Sequence, residues 1–244
     1  MNSKSTTVAL APKGRVAKAS SKRVLKEKRV RQPSLTDRAY RILEEQIVTL
    51  QLEPGTVTSE ALLSELLGIG RMPVREALQQ LARERLVQIL PQRGVVVSEI
   101  NVLSQFRLLE VRREMERLLA RSAARRATPA QRSQFARIAQ EMSVAAEKND
   151  DILFLRMDRE FNNLVMDAAR NEFATSAMSL MNGLSRRFWF RFYRQFADLP
   201  LSARLHAAVA EEIAQGREAE AVAASDALID YMEGLARSTV TADS

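Results

Sequence analysis

Two arginines four residues apart, Arg71 and Arg75, have the chemistry and the spacing to bind an anion together. Apolar residues in the segment that they open keep the spacing of one buried helical face: Val74, Ala77, Leu78 and Leu81. Pro73 is compatible with a first helical turn, because its missing N–H would have no intrahelical partner there. Both guanidinium groups are therefore expected on one face, beside the positive end of the helix. Such a pair can bind a phosphate or the O6 and N7 atoms of guanine.

The segments around this helix predict a winged helix-turn-helix. Residues 59–67 predict a short helix, and glycines in 68–70 predict a turn into the arginine helix. Four leucines of the short helix are expected to point inward: Leu62, Leu63, Leu66 and Leu67. Apolar runs at 86–90 and 95–97 flank Pro91-Gln92-Arg93-Gly94 and predict a β-hairpin with a basic tip. A preceding helix over 35–50, capped by Ser34 or Thr36, completes one small core.

These motifs resemble the DNA-binding signature of the GntR family of bacterial transcription regulators over most of residues 35–98. The resemblance is carried by Leu52-Glu53-Pro54-Gly55, Ser59-Glu60, Gly70 to Leu78, Leu81 and Pro91 to Val95. It implies two sets of DNA contacts. Arg71 and Arg75 would touch operator DNA, with Met72 and Pro73 against the groove, and Arg93 and Gly94 would form the wing tip.

Three positions depart from the family pattern. Gly70 stands where Ser or Thr is usual, which removes a hydroxyl that would cap the helix. Ala61 stands where some members have a DNA-contacting Arg, and Arg85 where a helix-ending Gly is usual. DNA binding is expected from the rest of the signature, while the operator sequence stays open.

From Asn101 onward the pattern predicts six helices joined by short connections, ending near Thr239, and no strand. The predicted fold class is mainly α, with a winged helix-turn-helix of three helices and a small β-hairpin before an all-α six-helix bundle. Over residues 102–238 the bundle resembles the FCD ligand-binding domain of FadR-type regulators, in its smaller VanR-like variant. The predicted domains are a basic arm at 1–33, the winged helix-turn-helix at 34–98 and the bundle at 102–240.

The resemblance implies a divalent metal site in the bundle, which this chain keeps only in part. A typical FCD domain uses an Asp, a His four residues later and two further His to hold zinc or a similar ion. Here Asp158 is kept, Asn162 replaces the first His, His206 matches the second and the third falls at or near Leu228. Because half of the ligands are missing, we expect no metal and no other cofactor, with a zinc-like ion as the lesser alternative.

The sequence favours a pocket that persists without metal and binds a small effector directly. Asp158, Asn162 and His206 are its candidate residues. Arg112 joins them because the segment Glu110 to Glu116 resembles the family segment that directs an Arg into the pocket, and a guanidinium suits a carboxylate. In the alternative interpretation, His206 is a packed core histidine with one hydrogen bond and Asp158 pairs with an arginine.

Residues 186–194 concentrate arginines and aromatic side chains on one helix. Their helical spacing favours packing of Phe188, Trp189 and Phe192 against the pocket wall or a dimer interface, rather than stacking on single-stranded nucleic acid. Arg187 or Arg191 would then reach an anionic ligand.

Composition excludes several classes of protein. The chain of 244 residues has no Cys and one His, so disulfides and thiol catalysis are excluded. It has no glycine-rich phosphate loop and no arrangement of Ser, His and Asp, so we predict that it is not an enzyme, with no catalytic residues. No run of residues is long and apolar enough to span a membrane, and we expect a cytoplasmic protein without a membrane partner.

The charge is concentrated at one end. Residues 1–32 contain ten Lys or Arg against the single acid Glu27, so this segment carries +9 while the remainder carries −2 of the total +7. Few of its residues could pack a core, so we predict a disordered arm that adds DNA affinity through counterion release, with a solvated tail as the alternative.

Together these features predict a homodimeric repressor that binds palindromic double-stranded operator DNA and responds to a small-molecule effector in the bundle. The alternative is an architectural DNA-binding protein whose bundle only dimerises. Release from one site by an effector separates the two.

Overall fold

The computed structural model describes residues 33–242 of the chain. The predicted basic arm lies outside this range, apart from Pro33. The unit that the sequence predicts to bind DNA, called the DNA-binding unit below, consists of α1 Leu35–Val48, β1 Val57–Thr58, α2 Glu60–Leu67, α3 Arg71–Arg83, β2 Val87–Leu90 and β3 Gly94–Val97. The helices that follow are α4 Val102–Arg126, α5 Pro129–Lys148, α6 Asp151–Ala169, α7 Glu172–Phe196, α8 Leu199–Gln215 and α9 Glu218–Ala242. The predicted fold class is thus confirmed.

Side-chain caps start most of these helices where the sequence predicts them. Ser34 and Asp37 form a reciprocal capping box at α1, and the Ser59 hydroxyl accepts from the N–H of Leu62 at α2. Asn101 caps α4 in the same way, through the N–H of Ser104. The start of α3 is the exception, since Gly70 offers no side chain to its free N–H groups. Those donors remain available to an external anion.

The small sheet has one strand more than the predicted hairpin. Strands β2 and β3 pair antiparallel, with Leu90 opposite Gly94, and the two-residue strand β1 pairs with the other edge of β3. A two-residue strand has no alternation from which it could be predicted.

The prediction that four leucines of α2 point into the core is wrong at two positions. Leu63 is buried and Leu67 packs partly into the core, whereas Leu62 and Leu66 are 57% and 64% exposed. A helix of eight residues that packs against α3 on one side buries a single stripe, and the stripe through Leu63 and Leu67 lies about 100° from the other pair.

The six-helix part has its own apolar core. Its largest fully buried side chains include Phe135, Ile138, Met142 and Ile213. Burial of each such side chain stabilises the fold by about 1.5–3 kcal/mol. Within residues 33–242, no helix has the length and hydropathy required to cross a membrane.

Candidate functional site

The N-terminal turn of α3 presents an exposed cation that has no internal partner. The Arg71 side chain is exposed and makes no hydrogen bond or ion pair with any residue in the part of the chain that the structure describes. Met72 beside it is 62% exposed, and Pro73 is half-buried. On the opposite face of α3, Val74 and Leu78 anchor the helix in the core. This turn can therefore meet a nucleic acid without unfolding or breaking internal contacts.

Arg75, one turn further along α3, is held by Glu60 at the start of α2. Its Nε lies 3.0 and 2.9 Å from the two carboxylate oxygens of Glu60, and its Nη2 lies 2.9 Å from Oε2. The hydrogen bond to Glu60, together with the carboxylate charge, raises the pKa of Arg75 above its ordinary value. Arg75 is thus cationic but locally neutralised.

The wing tip is a tight turn that depends on glycine. Gln92 and Gly94 both have positive φ, of 60° and 97°. A Cβ on Gly94 would lie 2.3 Å from the carbonyl oxygen of Thr58, so only glycine fits there. Arg93 between them is exposed and makes no ion pair within residues 33–242.

In the bundle, Asp158, Asn162 and His206 lie together. The Asn162 Nδ2 atom donates to the Asp158 carbonyl and carboxylate oxygens at 2.8 and 2.9 Å. The Nε2 atom of His206 lies 3.3 Å from Asp158 Oδ1, and its Nδ1 lies 2.8 Å from the Ser202 carbonyl oxygen. The ring also packs edge-on against Phe154 and Phe161.

The two titratable groups of this cluster support each other's charge. Burial lowers the pKa of His206, but the hydrogen bond and the charge of Asp158 outweigh it, so the net shift is upward. Burial raises the pKa of Asp158, but His206 and the positive charges of Arg186 and Arg112 bring it below its ordinary value. Both net shifts favour the charged forms, His206 as imidazolium and Asp158 as carboxylate.

Arg112 and a small cavity adjoin this cluster. Arg112 is paired with Glu116 one turn along α4, with 2.8 Å between Nε and Oε1. Glu116 lines a cavity of about 30 Å³ between helices α4, α6, α7, α8 and α9. Its other polar lining residues are Asn162, Asn182 and Ser225. Apolar side chains, among them Phe161 and Leu228, cover the remaining wall.

These side chains do not fit the divalent metal that the resemblance implies. Leu228 offers no donor atom, and the Nδ2 of Asn162 is a hydrogen-bond donor rather than a ligand. Among residues 33–242, no group of three or more His, Cys, Asp or Glu is arranged to hold a metal ion. Asp158 and His206 alone form an incomplete ligand set, and they already pair with each other.

The other two predicted effector residues lie apart from the cluster. Arg187 is 2% exposed and donates from Nη1 and Nη2 to the backbone carbonyls of Ser98 and Glu99, at 2.8 and 3.2 Å. Burial lowers its pKa to about 10, although the charge of Glu99 opposes the shift. Arg191 is exposed beside Phe192, in an open cleft of about 380 Å³ that Glu99 also lines. Arg187 thus holds the connection between the sheet and α4.

Sequence reasoning missed the contacts that α7 makes with the DNA-binding unit. Arg186 forms an ion pair with Glu44 of α1, with 2.5 Å between Nη1 and Oε1. A Cβ on Gly183 would lie 2.7 Å from Leu86, so the glycine allows α7 to approach closely. No local pattern could have indicated these pairs, because the residues involved are about 100 or more positions apart.

Comparisons with known proteins agree with this architecture. Residues 35–97 match the family described as bacterial regulatory proteins, gntR family, and residues 107–231, just over half of the chain, match the FCD domain. The chain is 28% identical over 190 residues to YdfH of Escherichia coli O6:H1, an uncharacterised HTH-type transcriptional regulator. That match covers 78% of this chain and 83% of YdfH.

Further matches extend the same pattern. The chain is 29% identical over 183 residues to the HTH-type transcriptional repressor RspR of E. coli K12, covering 75% of this chain and 80% of the relative. Among solved structures, E. coli McbR/YncC shares the fold with a TM-score of 0.71 and 18% identity, over 85% of this chain and 99% of that one. The matched domains and relatives are regulators, which confirms the prediction that the chain is not an enzyme.

Proposed function

The chain belongs to the GntR family of bacterial regulatory proteins and is a DNA-binding transcription regulator with an FCD domain; from this premise we propose that it is a homodimeric repressor controlled by a small carboxylate. The observation that carries the proposal is the group of polar side chains beside the bundle cavity, where Asp158, Asn162 and His206 adjoin the Arg112–Glu116 pair. Polar groups converging on an apolar interior are typical of ligand sites.

Arg112 is the residue proposed to bind the effector carboxylate. Its guanidinium already pairs with the carboxylate of Glu116, and both side chains are about 15% exposed. An effector carboxylate would replace Glu116 as its partner and gain a bidentate, charge-assisted contact. Two buried polar atoms, Ser202 Oγ one turn before His206 and Trp189 Nε1 on a ring beside Phe154, have no hydrogen-bond partner within residues 33–242. They are further candidates for binding the ligand.

At the DNA, each subunit would insert α3 into the major groove of one half-site. Arg71 and Arg75 would contact phosphate or guanine, with Met72 and Pro73 against the groove and the Arg93–Gly94 tip beside it. Two subunits related by a two-fold axis would read a palindromic operator with half-sites roughly 34 Å apart. The arm at residues 1–32 would add affinity that falls with salt.

Helix α7 is proposed to couple the two sites. Asn182 lines the cavity, and the next residue, Gly183, packs against Leu86 of the DNA-binding unit. One turn later Arg186 pairs with Glu44 while its charge also acts on Asp158. An effector that widens the cavity would shift α7 against α1. The operator affinity would change by the difference in effector affinity between the two arrangements.

The test begins with the full chain and fragmented genomic DNA, from which the bound fragments are recovered and footprinted. Operator affinity is then titrated with a panel of small carboxylates, for the wild type, Arg112→Ala and the control Arg121→Ala, which removes an exposed α4 arginine. We expect one carboxylate to weaken binding at least about tenfold, a coupling of typical size, in the wild type and the control but not in Arg112→Ala.

Two other outcomes would contradict the proposal. A response that survives Arg112→Ala would remove that residue from the site. An operator affinity unchanged by every carboxylate would favour an architectural DNA-binding protein whose bundle only dimerises.

A further inference from the structure

The two arginines of α3 differ in their surroundings. Arg71 has no internal partner, whereas Arg75 is bound side-on by Glu60 through Nε and Nη2. The Arg75 side chain nevertheless remains 54% exposed. Glu60 is the first residue of α2, and a negative charge there interacts favourably with the free N–H groups of the helix N-terminus.

The side-on contact leaves one edge of the Arg75 guanidinium available. Arginine carries five N–H donors in a rigid plane. Glu60 accepts the Nε hydrogen on both carboxylate oxygens and forms an ion-pair contact of 2.9 Å with Nη2. The remaining edge has parallel donors on Nη1 and Nη2. That edge has the geometry required to bind O6 and N7 of guanine at the same time.

We propose that Glu60 is a positioning residue that fixes the plane of the Arg75 side chain, so that its free edge reads one guanine in each half-site. The inference rests on the proposed contact of Arg75 with DNA. The side chain of an arginine without such a partner rotates freely and can contact phosphates as well as bases. It therefore raises the affinity of the protein for DNA of any sequence. A carboxylate-held arginine instead has its charge partly cancelled and its direction fixed, which favours base reading over general attraction.

The two arginines therefore divide the work of DNA binding. Arg71, exposed at the positive end of α3, supplies attraction and phosphate contact. Arg75 with Glu60 supplies discrimination between base pairs. Removal of the Glu60 charge should raise affinity for random DNA while lowering selectivity at a single base pair.

The experiment uses the full chain and the operator recovered from genomic DNA, with each base pair of the half-site replaced in turn. Arg75→Ala first identifies the base pair at which discrimination depends on Arg75. Glu60→Gln is then compared with Glu65→Gln, which removes the same charge from an exposed position of the same helix. Affinity for random-sequence duplex DNA and thermal melting are measured for all variants.

We expect Glu60→Gln to lower discrimination at that base pair by roughly tenfold, the scale of one bidentate contact, and to leave the other positions unchanged. Glu65→Gln should keep full discrimination, while the affinity for random-sequence DNA should rise by a similar factor in both variants. Undiminished discrimination in Glu60→Gln would overturn the positioning role. If Arg75→Ala changed no base preference, Arg75 would not read a base. That result would overturn this inference and the proposed Arg75 contact, but not the effector-controlled repressor.

Discussion

Arginines lie in opposite states in two regions: the surface around Arg71 and the wing-tip Arg93, and the polar cluster of the bundle. Arg71 and Arg93 are exposed and unpaired with any residue in 33–242, so they can bind an anion as they stand. In the bundle, Arg112 is paired with Glu116, and Asp158 accepts a hydrogen bond from Asn162 and pairs with His206. Under the proposed function, Arg71 and Arg93 would bind DNA as free groups, whereas the bundle site would exchange an internal partner for a ligand.

The bundle cavity is also too small to accept a ligand without rearrangement. About 30 Å³ holds one or two water molecules, while ligand pockets commonly measure about 300–1,000 Å³. An effector can enter only if the surrounding helices move. Since α7 both lines the cavity and packs on the DNA-binding unit, that movement is the proposed origin of control over DNA affinity.

Asp158→Ala should have the largest effect, and on stability. It leaves His206 and the Asn162 amide without their carboxylate in a site about 15% exposed, which costs about 3 kcal/mol in the free energy of unfolding. The control is Glu160→Ala on the same helix, where the pair with Arg137 is over 40% exposed and less than about 1 kcal/mol is expected. Denaturant unfolding measures both. Equal losses in the free energy of unfolding would mean that the cluster contributes no more to stability than an exposed ion pair.

Arg71→Ala should act on the other region and leave stability unchanged. Loss of an exposed DNA contact is expected to weaken operator binding by about 1–3 kcal/mol, a factor of roughly 5 to 150, with the same melting temperature. Arg83→Ala, at the far end of α3, is the matched control and should retain most of the affinity. Fluorescence anisotropy with labelled operator measures the change. A lowered melting temperature would show that the DNA face is also part of the structural support.

Glu44→Gln should weaken the coupling between the bundle site and the DNA-binding unit, while each site keeps its own structure. Without its ion pair to Arg186, the effect of the carboxylate on operator affinity is expected to fall by about 0.5–2 kcal/mol. Effector affinity in the absence of DNA should change less. Glu45→Gln, its exposed neighbour on α1, should preserve the response. An unaltered response in both variants would place the coupling outside this ion pair.

Arg85→Gly should give the smallest effect, a gain in stability. Arg85 follows α3 with a φ of 59°, where a side chain is strained and glycine is not. We expect a gain of less than about 1 kcal/mol over Arg85→Ala, which removes the same charge but keeps the strain. Thermal unfolding of the two variants provides the comparison. A glycine variant no more stable than the alanine variant would argue that this turn carries little strain.

The two regions also differ in how far the sequence predicts them. Apolar spacing and capping residues such as Ser34 and Asn101 predict the helices, because these signals act within a few residues. The same local signals predict an exposed basic turn at Arg71. They do not predict which face of α2 is buried, and Leu62 and Leu66 turn out exposed.

The bundle site depends on contacts between distant segments. The bond from Asn162 to Asp158 follows from their spacing on one helix, but the meeting of Asp158 with His206 was expected only from the family resemblance. The burial of Arg187 beneath the linker carbonyls and the pairing of Arg186 with Glu44 have no local signal at all. Tertiary packing of α7 decides both.

The most direct test of effector control is native mass spectrometry of the full-length protein after chelator treatment, with a carboxylate that affects operator binding. We predict a metal-free dimer that takes up one carboxylate per subunit and, in a parallel titration, loses affinity for the operator. Uptake that occurs only after a stoichiometric metal is restored would contradict direct binding by Arg112 and the Asp158 cluster.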